Sequence, residues 1–190
     1  MKTLISLLKP YFKHPWFFKF AFNISPMYRR STGRILSVSD DLRIVKIKIP
    51  LSYKNQNYAG SIFGGSLFSA TDPILMIQLV QLLGDDYIVW DKESRIKFKI
   101  PARKTVFADF RITKSDLDTI ISQVRLEKQM DFTKTIIIYD KKGNVFAEVA
   151  KTIYIADKKY HKEKIQRRRH TQYSSSQLMQ KASWFMDGQI

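Results

Sequence analysis

Short runs of alternating polar and apolar residues recur along the chain and predict β-strands. In residues 95–101, RIKFKIP, basic side chains alternate with apolar ones and therefore lie on opposite faces of a strand. A first pair of strands is predicted at residues 34–39 and 42–50, joined at Asp40-Asp41. Further strands are predicted at residues 87–91, 105–113, 118–129, 133–140 and 145–156, the last two joined by a turn that contains glycine.

One segment shows neither alternation nor a polar face. Residues 74–83, ILMIQLVQLL, are apolar in nearly every direction around a helix that ends at Gly84. One long helix followed by a run of strands indicates an α+β fold with an antiparallel sheet. A single flat sheet covers one side of such a helix, so the pattern requires a strongly curved sheet or a partner subunit.

The two ends of the chain differ from the middle. Residues 1–24 form a basic, amphipathic segment that we interpret as an N-terminal helix packed on the domain; interfacial membrane contact through Trp16, Phe17, Phe18 and Phe20 is the alternative. Residues 25–157 form the main domain. Residues 158–190 form a basic, serine-containing tail, which we expect to be poorly ordered or marginally helical.

Charge and cysteine content narrow the classes of partner. The 33 lysines and arginines exceed the 17 acidic residues, which gives a net charge of +16 and favours anionic partners, including a weakly bound anionic membrane. No nucleic-acid-binding motif accompanies this charge. Cysteine is absent, which excludes thiolate metal sites and disulfides and fits a cytoplasmic or membrane-peripheral protein. Metal-ligand spacing is absent as well.

The helix is preceded by a motif that carries candidate chemistry. Asn57, Gly60, the Phe63-Gly64-Gly65 triplet and Asp72 occur in the order and spacing of hotdog-fold acyl-CoA thioesterases of the phenylacetyl-CoA type, and residues 89–103 resemble the downstream strand and turn of that group. Residues 25–157 resemble an uncharacterised branch of this superfamily. The resemblance implies a hotdog fold, with a curved antiparallel sheet around one long central helix, and a homodimer or a dimer of dimers.

The chemistry expected of the motif follows from its residue types. Glycines at a helix start expose backbone N–H groups, so Gly65 can stabilise a thioester oxyanion, Asp72 can act as base or nucleophile, and Asn57 can orient the water or the carbonyl. Asp72 lies seven residues beyond Gly65, or about 10 Å along the helix. The antiparallel helices implied by the resemblance would bring Asp72 of one chain to Gly65 of the other.

Acyl-CoA is the expected substrate, and coenzyme A belongs to that substrate, so no separate cofactor is expected. Candidate substrate-binding residues are Phe63, Gly64, Lys97, Lys99, Arg103 and Lys104. Each basic residue also fits a solvated strand edge. Asp72 also fits the N-cap of a second helix that begins at Pro73.

Phe63 occupies the position of the family's histidine, and His14, His161 and His170 lie outside the motif. A protein that binds acyl-CoA or fatty-acyl groups without hydrolysing them is therefore the alternative function.

Overall fold

The computed structural model describes residues 9–167, and its largest element is a six-stranded antiparallel sheet. The strands are β1 Arg34–Val38, β2 Ile44–Ile49, β3 Tyr87–Phe98, β4 Val106–Arg111, β5 Gln129–Tyr139 and β6 Val145–Asp157. Their order across the sheet is β1-β2-β4-β5-β6-β3. The long strand β3 is therefore an edge strand, paired on one side with β6.

Helices precede, interrupt and follow the strands. They are α1 Pro15–Ile24, α2 Pro26–Arg30, α3 Gly64–Leu83 and α4 Lys114–Glu127, with a 3-10 turn at Lys9–Lys13 before α1. A final helical segment, α5, covers residues 158–167. The predicted α+β layout, with an N-terminal helix, is confirmed.

Helix α3 is the central helix, and its sheet-facing side supplies much of the core. Ile74, Leu75 and Leu79 are fully buried. The helix continues through Pro73, so Asp72 is not the N-cap of a second helix. By length and composition alone α3 would also qualify as a membrane span. Core helices packed against a sheet share that property, and α3 contacts strands β2, β3, β4 and β6.

Most of the predicted strand boundaries are confirmed. In β2 the apolar residues of the alternating pattern, Val45, Ile47 and Ile49, are fully buried. Gly143, with a φ of 85°, lies in the turn between β5 and β6. The segments predicted as two strands at residues 87–91 and 95–101 form one strand, because a bulge between Asp91 and Glu93 shifts the register without ending the pairing with β6.

The strand predicted at residues 118–129 is wrong, because most of that segment belongs to helix α4. The helix begins with a capping box in which Thr113 Oγ1 accepts from the Asp116 N–H and Asp116 accepts from the Thr113 N–H. Ile120 and Val124 form the buried face at helical spacing. Four strands therefore follow α3.

The two ends of the described chain pack on the domain. In α1, Phe18 and Phe22 are buried, whereas Trp16 and Phe20 are exposed. Phe18 is thus a core residue and does not belong to an exposed aromatic face. At the other end, His161 of α5 is buried and Lys164 donates to Gln129. The predicted tail therefore starts with an ordered helix; residues 168–190 lie outside the described residues.

Candidate functional site

The loop between β2 and α3 is held in place by a buried asparagine that the motif does not include. The side-chain amide of Asn55 donates to Thr32 Oγ1 at 2.7 Å and to the Pro50 carbonyl at 2.8 Å. Its backbone carbonyl accepts from the Phe63 N–H at 2.7 Å. The loop thus fixes the direction in which the chain enters α3.

Asn57 folds the next part of the loop. Its Oδ1 accepts from the N–H groups of Ala59 and Ser61, and its Nδ2 donates to Ser61 Oγ at 3.0 Å. Gly60, at a φ of 72°, completes this turn. The side-chain oxygen of Asn57 is therefore engaged within the loop, whereas one of its two amide hydrogens remains available to a ligand.

The first two residues of α3 present unused hydrogen-bond donors. Within residues 9–167, neither the Gly64 N–H nor the Gly65 N–H donates to a protein acceptor. A Cβ at Gly64 would lie 2.7 Å from the Phe98 ring, and a Cβ at Gly65 would lie 2.2 Å from the Phe63 ring. A side chain at either position would require the neighbouring phenyl ring to move. The result is a pair of backbone donors between two aromatic walls.

A cleft of about 320 Å³ opens beside this helix start. We call it the Gly-Gly cleft; it is lined by Asn57, Ser61, Ile62, Gly64, Leu67, Phe98, Lys99, Ile100, Pro101 and Ala102. Of the predicted site residues, the structure brings Asn57, Gly64 and Lys99 together here. Phe63 and Gly65 adjoin them in sequence, and both are exposed.

Asp72 lies elsewhere on the same helix, in a cluster of three charged residues. The Nζ of Lys151, on β6, donates to Asp72 Oδ1 at 2.7 Å and lies 2.6 Å from Asp91 Oδ1 on β3. The second contact is an ion pair. The Lys151 side chain is fully buried, whereas the Asp72 side chain is 44% exposed. A buried ammonium group requires compensating charge, and the two carboxylates supply it.

This cluster explains the carboxylate on the central helix. Asp72 Oδ1 is engaged by Lys151, and Asp72 remains open to solvent on its other side. Burial raises the pKa of Asp91; the Lys151 ammonium opposes this shift, and the Asp72 charge adds to it. The three residues therefore form one coupled electrostatic unit.

The predicted basic residues lie at the end of β3, which holds Lys97, and in the connection from β3 to β4. Lys99 pairs with Glu148 at 3.1 Å, and Lys104 pairs with the buried Asp140 at 3.3 Å. Lys97 and Arg103 are exposed. Two of these four cations, Lys99 and Lys104, are therefore already neutralised by carboxylate partners.

Lys151 is the site residue that sequence reasoning missed. A signal was present, because Lys151 shares one alternating face of β6 with Val149 and Ile153, both fully buried. A lysine on the apolar face of a strand predicts a buried acidic partner. Among the described residues, no cluster of three or more His, Cys, Asp or Glu side chains could hold a metal ion.

Solved structures share this architecture. A protein of unknown function from Pseudomonas aeruginosa, described as a probable thioesterase, superposes with a TM-score of 0.66 at 18% identity over 76% of this chain and 99% of its own. A thioesterase from Haemophilus influenzae gives a TM-score of 0.53 at 11% identity, over 74% of this chain and 88% of its own. A variant of a thioesterase from Staphylococcus aureus gives 0.51 at 17% identity, over 70% and 99%.

These similarities confirm the hotdog fold, with α3 as the helix around which the sheet wraps. Residues 14–155 match the family model described as a domain of unknown function, DUF4442, and the chain belongs to that family. The expected position in an uncharacterised branch of the thioesterase-like hotdog proteins is thereby confirmed. A comparison of the sequence with curated proteins gives no match.

Proposed function

We propose that this protein hydrolyses the thioester bond of an acyl-CoA. The observation that carries the proposal is the pair of unused N–H groups at Gly64 and Gly65, placed between the Phe63 and Phe98 rings at the positive end of α3. Such donors stabilise negative charge on a carbonyl oxygen. The aromatic walls suit the apolar part of an acyl thioester. The thioesterase names of several similar folds support the same class of reaction.

The reaction adds water across the C–S bond. A water oxygen attacks the thioester carbonyl carbon while Asp72 accepts the proton, and the oxyanion that forms is held by the Gly65 N–H. When the C–S bond breaks, the sulfur leaves as a thiolate and takes up the proton, which gives a carboxylic acid and free coenzyme A. Direct attack by the Asp72 carboxylate is the alternative route, with water cleaving the resulting anhydride.

The active site in this proposal is shared between two copies of the chain. Asp72 is seven residues beyond Gly65 on one straight element, about 10 Å away, and cannot serve a carbonyl bound at that same helix start. The edge strand β3 is twelve residues long, and its outer backbone has no partner within the described chain. Pairing with a second β3 would satisfy that edge. An antiparallel arrangement of the two α3 helices would then direct Asp72 toward the partner copy's helix start.

Lys151 has a positioning role in this proposal. Its hydrogen bond to Asp72 Oδ1 fixes the carboxylate, so that the other oxygen points to the incoming water. Asn57 retains one amide hydrogen that can reach the substrate carbonyl or the water. The proposed reaction needs no resident cofactor.

Two features favour a second function, acyl-CoA or fatty-acyl binding without hydrolysis. Phe63 supplies no hydrogen-bonding group where related proteins carry histidine, and its ring lies over Gly65. The charge of Asp72 is compensated by Lys151. In this alternative the Gly-Gly cleft holds the thioester but activates no water.

A panel of acyl-CoAs with short, long and aromatic acyl groups separates the two functions. Release of free thiol is measured alongside the ligand-induced shift in melting temperature, with the free acids as control ligands. The proposed hydrolase releases thiol in proportion to enzyme concentration for at least one member of the panel. If an acyl-CoA raises the melting temperature but no member of the panel releases thiol above background, the result supports the binding protein and overturns the hydrolase.

A further inference from the structure

A second cleft of about 320 Å³ is lined in part by the loop that leads into α3. We call it the basic cleft, because four of its seven lining residues are cationic. The lining residues are Arg29, Arg30, Thr32, Arg34, Pro50, Ser52 and Lys54. Three separate segments supply the cations: the end of α2, the start of β1 and the loop after β2. The fold therefore gathers these charges at one place.

Among residues 9–167, the four cations of the basic cleft have no acidic partners. In the part of the chain that the structure describes, no carboxylate lies within 4.0 Å of Arg29, Arg30, Arg34 or Lys54. Exposed cations elsewhere, such as Arg43, Arg95 and Arg111, each pair with a nearby carboxylate. Positive charges brought together without compensation repel one another, and a bound anion relieves that repulsion.

The chemistry of the basic cleft matches phosphate. Three of the four cations are arginines, whose planar guanidinium groups bind phosphate oxygens in pairs. Arg34 uses one of its N–H groups on the Gly33 carbonyl at 2.8 Å, which orients the guanidinium group and leaves its other donors available. The hydroxyls of Thr32 and Ser52 add polar groups to the wall. A volume of about 320 Å³ lies near the lower limit of small-molecule pockets.

The basic cleft and the Gly-Gly cleft are joined by one rigid connection. Thr32 and Pro50 line the basic cleft, and both accept hydrogen bonds from the Asn55 side chain. The Asn55 carbonyl in turn accepts from the N–H of Phe63, the residue before the Gly-Gly pair. Asn55 therefore connects the walls of the two clefts by hydrogen bonds.

We propose that the basic cleft binds the phosphate groups at the nucleotide end of coenzyme A. This inference rests on the proposed function for its ligand, and it assigns the phosphates to Arg29, Arg30, Arg34 and Lys54. It differs from the sequence-based expectation, which placed them near Lys97, Lys99, Arg103 and Lys104. Two of those residues, Lys99 and Lys104, already have carboxylate partners.

Calorimetric binding of coenzyme A tests the assignment without requiring turnover. The double variant Arg29→Gln/Arg30→Gln changes two exposed side chains. The control Lys114→Gln/Arg125→Gln makes the same change in net charge on the surface of α4. We expect the first variant to weaken coenzyme A binding about tenfold or more, with pantetheine, which lacks the nucleotide, unaffected. Equal affinities in the two double variants would overturn the assignment.

Two further arms identify the source of the phosphate and separate this inference from the proposed function. Co-sedimentation with vesicles of phosphatidylglycerol tests a lipid headgroup; loss of vesicle binding in Arg29→Gln/Arg30→Gln with unchanged coenzyme A affinity overturns the proposal. Coenzyme A binding that depends on the two arginines, in a protein that releases no thiol, supports the cleft while contradicting hydrolysis. Hydrolysis of an acyl-CoA with an unchanged KM in the double variant would support the proposed hydrolysis and contradict the assignment of the phosphates to the basic cleft.

Discussion

The ammonium group of Lys151 lies 2.7 Å from Asp72 Oδ1 in the middle of the fold, and the lysine side chain is fully buried although the carboxylate is partly exposed. This asymmetry gives the two residues different roles. Lys151 is buried in the core beside β6, whereas Asp72 remains partly open to solvent. The lysine fixes the carboxylate in place from behind.

Replacing Lys151 by methionine should reduce stability. The two carboxylates that flank it would lose their shared counter-charge, but both retain some solvent, so we expect a loss of about 1–3 kcal/mol rather than the larger cost of an isolated buried charge. Urea denaturation measures the change. The control Lys97→Met alters an exposed lysine of β3 and should remain within about 0.5 kcal/mol of the wild type. Equal stability of the two variants would show that the buried ion pairs contribute nothing.

Asp91 should titrate above the ordinary range of an aspartate, because burial raises its pKa. A raised pKa means that the folded protein binds this proton more tightly than the unfolded chain does. The stability that Asp91 contributes is therefore present in acid and is lost as the pH rises through its folded pKa. NMR of the carboxyl carbon measures the titration.

The charges of Asp72 and Lys151 shift the pKa of Asp91 in opposite directions. Asp72→Asn removes a negative charge and should lower the pKa of Asp91, whereas Lys151→Met should raise it, because the ammonium favours the ionised carboxylate. An Asp91 pKa that is the same in both variants would show that the three groups do not interact.

The fold was largely predictable because its signals are local. The alternating pattern of β2 predicts which face of that strand is buried. The long apolar run of α3 predicts a buried helix, and neither prediction requires a known contact. Helix α4 was missed because Ile120 and Ile121 resemble part of a strand. The capping box at Thr113 and Asp116 is the sequence signal that marks the start of this helix. Lys151 and Asp91 lie 60 residues apart in the chain, and only the pairing of β3 with β6 brings them together. The basic cleft likewise depends on three segments meeting in space.

The exposed aromatic residues of α1 predict weak binding to anionic membranes. Trp16, Phe20 and Ile24 follow one another at four-residue intervals and are each more than half exposed. Trp16→Ser/Phe20→Ser should lower co-sedimentation with anionic vesicles about tenfold, because large apolar side chains drive interfacial binding. Ile121→Ser/Leu126→Ser, exposed on α4, is the matched control. Equal loss in both variants would contradict a specific role for α1, and thiol release should be unaffected.

Mixed dimers test whether the site is shared between copies. Gly65→Pro removes the unpaired N–H of the proposed oxyanion donor and should lower turnover about 10²–10³-fold. The exposed Phe63 ring, which lies over this position, must rotate to admit the proline, and circular dichroism checks that the fold is kept. Co-expression of Asp72→Asn chains with Gly65→Pro chains should restore activity, because one site per mixed dimer then combines an intact Asp72 with an intact Gly65. Activity no higher than that of the two separate variants would place both groups in the same chain's site. Light scattering verifies that the dimers form.

The most direct measurement of the central claim is thiol release by Asp72→Asn. The substitution keeps the size of the side chain and removes the basic oxygen, while Lys151 keeps its second partner, Asp91. The control Asp118→Asn makes the same change on the exposed surface of α4. With unchanged circular dichroism, we expect kcat to fall about 10²–10⁴-fold in Asp72→Asn and to stay at the wild-type value in Asp118→Asn. Full activity in Asp72→Asn would contradict it.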